Sequence, residues 1–298
     1  MALGRTIRIY LDDGSVSGIK HAEIVNWTGQ AISSPRNLIK NLKEWEESKK
    51  PGVYFLFGID EDGNESVYIG EAENVLDRLF NHISNKEFWN EVIFFTSKDE
   101  NLTKAHVKYL ESKLILLVKN AKRYKIMNGN EPQQSTLPRG DKDAIQEFIQ
   151  NIRVLLGAMA HKVLEPITTQ YIEKNNIKEN KELTTNLELI NNEFYLKIKG
   201  INSKAIITTE GIVVKKDSEA MILENESLAN GYKKIRNNLQ EKQILVSNGN
   251  KLIFQEDYLF TSPSQAGAVI VGYAINGRKH WCQKDGTTLK DFEEKQIS

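Results

Sequence analysis

At 298 residues, with 40% hydrophobic and 27% charged residues, the chain has room for two domains and the make-up of an ordinary globular protein. Lys and Arg total 40 and Asp and Glu total 40, so the net charge does not mark a nucleic-acid binder, and any basic surface must be local. The single cysteine, Cys282, excludes an intrachain disulfide framework and a cysteine-rich zinc site, and no stretch approaches the roughly 18 apolar residues of a membrane span, so the expectation is a cytoplasmic protein with no membrane partner.

The N-terminus carries charges where a secretory signal would need an apolar run. Residues 5–12 alternate apolar and polar side chains, and Asp13-Gly14 offers a turn before a second run, Lys20 to Trp27. This predicts a hairpin, or a strand leading into a short helix. Ser33-Ser34-Pro35 opens a predicted helix from Arg36 to Lys49, broken by Pro51-Gly52.

Residues 53–59 (VYFLFGI) read as a buried strand, 60–65 as a polar turn and 66–70 (SVYIG) as the return strand. A helix is predicted from Asn74 to Ser84, a third strand over 91–97, and a long amphipathic helix over 104–122 with Thr103 as N-cap. The order is ββαβα, closed by a loop around Asn128 and Asn130. A further helical period covers 141–165. Residues 170–192 are rich in Lys, Glu and Asn and read as a linker or solvated segment. From 193 the pattern changes to short strands, a basic helix over 226–242, a helix over 264–274, and a turn at Asn276-Gly277 before a strand at KHWCQ. The expected domains are an extension 1–50, a compact unit 51–132, a helix and linker 133–192, and a second α+β domain 193–298.

The compact unit holds side chains suited to phosphodiester cleavage, which needs an activated water, charge stabilisation on the phosphate and help for the leaving oxygen. Tyr54 and Tyr68 fall on neighbouring strands. Arg78 and His82 are one helical turn apart and share a face. Arginine forks onto phosphate, and histidine shuttles protons near neutrality. Glu111 lies between Val107 and Leu114 at the edge of the apolar stripe, where an unpaired carboxylate is costly and a bound cation offsets the cost. Each has a plainer alternative. Glu111 can pair with Lys108, Arg78 and His82 can line a solvated helix face, and the tyrosines can be core aromatics.

Gly52-Val53-Tyr54, Tyr68-Ile69-Gly70, Arg78, His82 and Glu111, in this order and spacing, resemble the GIY-YIG nuclease domain of homing endonucleases, nucleotide-excision repair endonucleases and some restriction enzymes. The resemblance spans 52–132. It implies a small domain with a three-stranded antiparallel sheet and flanking helices, in an α+β protein. It also implies a metal-dependent DNA endonuclease in which Tyr54 activates water, Tyr68 positions it and Arg78 holds the phosphate. His82 then assists proton transfer, and Glu111 binds one Mg²⁺ or Mn²⁺. The family's late asparagine corresponds to Asn128 or Asn130, and His106, five residues before Glu111, is a local candidate for a DNA contact. DNA, including single-stranded DNA, is the implied partner. Where some relatives have a lysine after the second motif, this chain has Glu71.

Ser262-Pro263-Ser264, Asn276-Gly277, Trp281 and the run from Asp285 to Leu289 resemble the small domain DUF4357, over about 232–290, which often follows a GIY-YIG unit. Trp281 with Lys279, and Lys233, Lys234 and Arg236, are candidate nucleic-acid contacts. The C-terminal domain is then expected to bind substrate or regulate. The competing reading is a non-catalytic or partner-dependent nucleic-acid-binding protein on the same scaffold.

Overall fold

The computed structural model describes residues 4–129, 136–166 and 193–297. Asn130 and the segment 170–192 lie outside the described residues. The protein is α+β and divides into two compact units, Met1–Pro166 and Ile167–Ser298. No described helix is long and apolar enough to cross a membrane.

The first unit is built on a seven-stranded sheet in the order β1-β2-β3-β6-β4-β5-β7. The strands are β1 (Ile7–Leu11), β2 (Lys20–Ile24), β3 (Gly29–Pro35), β4 (Gly52–Ile59), β5 (Glu65–Ala72), β6 (Trp89–Ser97) and β7 (Lys125–Ile126). All neighbours are antiparallel except the parallel pair β5 and β7. The three strands expected from the motif region are its centre. The N-terminal residues form a hairpin, and β3 pairs with β6, which extends the sheet on that side.

The central strand β4 is apolar almost throughout because both faces of the sheet are covered. One face carries Val53, Phe55, Ile69 and Ile93 against α2 (Lys104–Ala121) and α3 (Arg139–Ala158). The other carries Tyr54, Leu56, Val92 and Phe94 against α1 (Val75–Asn85) and the segment after β3. That segment differs from the single helix predicted over 36–49. It is two 3-10 helices, Arg36–Glu44 and Glu46–Lys49, with extended Trp45 between them. The Ser48 hydroxyl donates to the carbonyls of Leu42 and Trp45, each at 2.7 Å, which closes the chain there before an α-helix is established.

The second unit holds a four-stranded sheet, β14-β10-β9-β8, and a three-stranded sheet, β11-β13-β12. Their strands are β8 (Glu193–Ile198), β9 (Ile201–Thr208), β10 (Gly211–Val214), β11 (Glu219–Met221), β12 (Leu245–Asn248), β13 (Lys251–Phe254) and β14 (Tyr258–Phe260). Phe194, Phe254, Phe260, Val269 and Trp281 form the core with helices Asn230–Glu241 and Pro263–Val271. The strand expected at KHWCQ is replaced by a one-turn helix, Gly277–His280, and isolated bridges from Cys282 to Tyr195 and Thr288. Gly277 packs on the Pro263 backbone, where no side chain fits, and the helical turn brings the chain that close.

Candidate functional site

Tyr54 and Gly70 face each other across β4 and β5, and Leu56 faces Tyr68, so both tyrosines project from one face of the sheet as diagonal neighbours. Their rings lie 6.3 Å apart. The motif glycines answer to close approach. A Cβ on Gly70 would overlap the Tyr54 hydroxyl, and one on Gly52 would overlap the Phe95 carbonyl oxygen on β6.

Helix α1 lays Arg78 and His82 over these rings. Its N-cap Asn74 accepts the Asp77 N–H at 3.2 Å, which sets where the helix begins. His82 is only 3% exposed, and its Nε2 lies 2.8 Å from the fully buried Tyr54 hydroxyl. Arg78 Nε donates to the same hydroxyl at 3.4 Å. Burial, then the cations of Arg78 and Lys86, push the His82 imidazole down to about 4, so it is neutral at pH 7. Burial, then the neighbouring Tyr68, hold the Tyr54 phenol well above its usual range. Both groups are therefore neutral. Arg78 donates to the phenol oxygen, and the phenol shares a second hydrogen bond with His82 Nε2 whose donor is set by the imidazole tautomer. The other ring nitrogen, Nδ1, is buried without a partner among the described residues.

Glu111 reaches this group from α2, on the opposite face of the sheet, at the Gly70-Glu71 end of β5. Val107, Leu110 and Leu114 point into the core, and Glu111 stays half-buried beside them. Burial, then the charge of Glu71, raise its carboxyl to about 7, while Arg78 and the Glu71 backbone N–H partly oppose this. Among the described residues it makes no ion pair, and Lys108 acts on it only through its field. The Glu111 charge is felt in turn by Tyr54.

Beside Arg78 runs a polar cleft lined by Glu71, Glu73, Asp77, Asn81, Lys104 and Lys108. Lys104 is tied to Glu73 at 2.6 Å. Lys86 is a neighbour that no motif indicated. It is the C-cap of α1, with extended backbone, and its ammonium sits 4.2 Å from the Tyr68 ring centroid.

Other expected residues lie elsewhere. The Asn128 amide is committed to the backbone of Ile69: its Oδ1 accepts the Ile69 N–H at 3.1 Å and its Nδ2 donates to the Ile69 carbonyl at 2.7 Å. It continues the edge of β5 as a side-chain rung. His106 caps the start of α2 with Thr103 and stands 3.5 Å from Asp141, in a separate cavity. In the second unit, the candidate nucleic-acid contacts at Arg236 and Trp281 are corrected, because both are fully buried. Arg236 donates to the carbonyls of Val269, Met221 and Ile222 and pairs with Glu224 at 3.0 Å. Trp281 Nε1 donates to the Pro263 carbonyl at 3.1 Å. Both side chains hold the fold together.

Among the described residues, no group of three or more His, Cys, Asp or Glu side chains is arranged to hold a metal ion. A divalent ion here would rest on Glu111, with water and substrate phosphate completing its shell, as is usual for Mg²⁺. The residues fit such an ion: a half-buried carboxylate without an ion-pair partner, raised to about 7, is one that a cation would return to its ionised form.

The architecture is that of a two-unit α+β protein with a tyrosine, histidine, arginine and carboxylate cluster in its first unit. The second unit carries a domain of the family described as "Domain of unknown function (DUF4357)", whose model matches residues 194–293. The match begins in β8, the first strand of that unit, and so takes in more of the chain than the resemblance over about 232–290. No curated protein and no solved structure matches the chain.

Proposed function

We propose that the first unit is a GIY-YIG-type, metal-dependent endonuclease acting on DNA. The observation that carries this reading is the Tyr54 hydroxyl between neutral His82 Nε2, at 2.8 Å, and Arg78 Nε, at 3.4 Å. A tyrosine placed only for packing needs one partner. This one has a neutral imidazole on one side and a cation on the other, which is the arrangement for passing a proton.

In this mechanism Tyr54 takes a proton from the attacking water as it hands its own to His82. Arg78, whose guanidinium is exposed beside the cleft, holds the scissile phosphate while its Nε steadies the phenol. Tyr68 lines the water's position, and Lys86 supplies positive charge next to it. Glu111 would hold the Mg²⁺ or Mn²⁺, which supplies Lewis-acid stabilisation of charge on the phosphate. Glu71, Glu73 and Asp77 offset the positive charge of Arg78, Lys104 and Lys108 around the cleft, which favours weak or partner-assisted DNA binding.

The test is to incubate the protein with single- and double-stranded DNA and Mg²⁺ or Mn²⁺, beside Glu111→Ala. Metal-dependent nicking by the wild type and none by the variant is the expected result. Equal nicking by both removes the site. DNA binding without nicking by either moves the protein to the non-catalytic reading.

A further inference from the structure

A cavity of about 430 Å³ opens beside the first turn of α2. His106 lines it, while Lys104 and Lys108, two residues either side, line the cleft of Arg78. Two residues along a helix is about 200° of rotation, so the two concavities flank the same helix on opposite sides.

The cavity has an aromatic floor. The Trp27 and Phe148 rings meet with centroids 4.8 Å apart and planes inclined by 60°, and Leu102 and Ile145 complete the apolar wall. The turn before β3 is shaped to present Trp27. Asn26 adopts a left-handed φ of 66°, and the Trp27 N–H closes the turn on the Ile24 carbonyl at 3.1 Å. The indole lies against Gly29, where any Cβ would overlap it.

Carboxylates around this floor outnumber its one basic side chain, His106. Asp99, Asp141 and Glu147 line the cavity, and neither lysine nor arginine is among its lining residues. Asp99 is fixed in place: its carboxylate accepts from Ser97 Oγ at 2.6 Å and from Asn101 Nδ2 at 3.0 Å, and the Ser97 bond chiefly holds it below the usual carboxylate range. It stays ionised. Asp141 faces the cavity with His106 Nε2 at 3.5 Å. An aromatic surface attracts a cation through its quadrupole, and carboxylates at the rim neutralise it, so cavity and charge together select one chemistry.

We propose that this cavity binds an organic cation, an ammonium or guanidinium group on an apolar or flat body, seated on Trp27 and Phe148 and paired with Asp99 and Asp141. Phosphate is repelled there, so His106 belongs to this site and not to a DNA-contacting surface. The cation is either a free amine or the basic side chain of a peptide.

The experiment is calorimetric titration of the full-length protein with benzylamine, with benzyl alcohol as the neutral match and a short arginine-containing peptide as the second source. Benzylamine is expected to saturate one site and benzyl alcohol to bind about tenfold more weakly or worse; Asp141→Asn is expected to weaken benzylamine by about fivefold, the scale of losing one partner of a partly solvated cation. Trp27→Leu should weaken it further, and the melting curve of Asp141→Asn should match the wild type. Tighter binding of the peptide assigns the site to a protein partner, and tighter binding of benzylamine to a free amine. Absence of saturation by benzylamine, equal binding of the alcohol, or indifference to Asp141→Asn overturns the proposal. The readout is binding alone, so it stands or falls apart from the nuclease reading.

Discussion

The hydroxyl end of the Tyr54 ring lies over Gly70, its cross-strand partner on β5, so closely that no side chain fits at that position. This ties the first motif to the last residue of the second. Gly70→Ala is expected to displace Tyr54 from His82 and to destabilise the protein by about 2 kcal/mol, as overpacking a tight core does. In a Tyr54→Ala background the same substitution should cost less than about 0.5 kcal/mol, because the clashing ring is gone. Denaturant melts of the four proteins measure this, and additive costs would refute the contact.

Tyr54→Phe keeps the ring and removes the relay. We expect a loss of about 10²-fold in nicking rate, with about 1 kcal/mol of stability lost through the broken hydrogen bond to His82. A loss under threefold in rate would show that the hydroxyl takes no part.

Glu111 gives a pH signature of known sign. Its carboxyl is raised from 4.5 to about 7, so between those values the folded protein binds more protons than the unfolded chain. Stability therefore falls as pH rises through this window. Glu111→Gln should melt higher than wild type at pH 8 by about 1 kcal/mol, after allowance for solvent screening of a half-exposed group, and the gap should close toward pH 4. Mn²⁺ should bind the wild type more tightly as pH rises through about 7, and this dependence should vanish in the variant. A pH-independent difference in melting would count against the burial of this charge.

Asn128 is placed as a clasp on Ile69. Asn128→Ala should cost about 2 kcal/mol, for two hydrogen bonds and the exposed backbone groups they leave, with amide exchange accelerated at Ile69. Full stability with weakened DNA binding would instead return it to the substrate.

In the second unit, Arg236→Leu leaves three carbonyls unsatisfied and Glu224 without its partner, and we expect a loss of about 3 kcal/mol or more with cooperative unfolding of that unit. Lys234→Ala, on the exposed side of the same helix, should be within about 0.5 kcal/mol of wild type. Equal effects from the two would contradict the buried placement of Arg236.

Local pattern alone set out the β4–β5 hairpin, the shared face of Arg78 and His82, and the apolar stripe of α2 that leaves Glu111 at its edge. Strand alternation, helical periodicity and turn residues act over a few positions, so they are written in neighbouring letters. Packing decided the rest. It added β1 to β3 to the sheet, carried Glu111 round the strand end to the Tyr54 group, turned Asn128 onto Ile69, and buried Arg236 and Trp281. The motif spacing was common to a solvated Arg78 and His82 and to the cluster found here. The distinction lay in which face of the sheet α1 covers, and that depends on contacts between residues far apart in the chain, where desolvation and shape set the outcome.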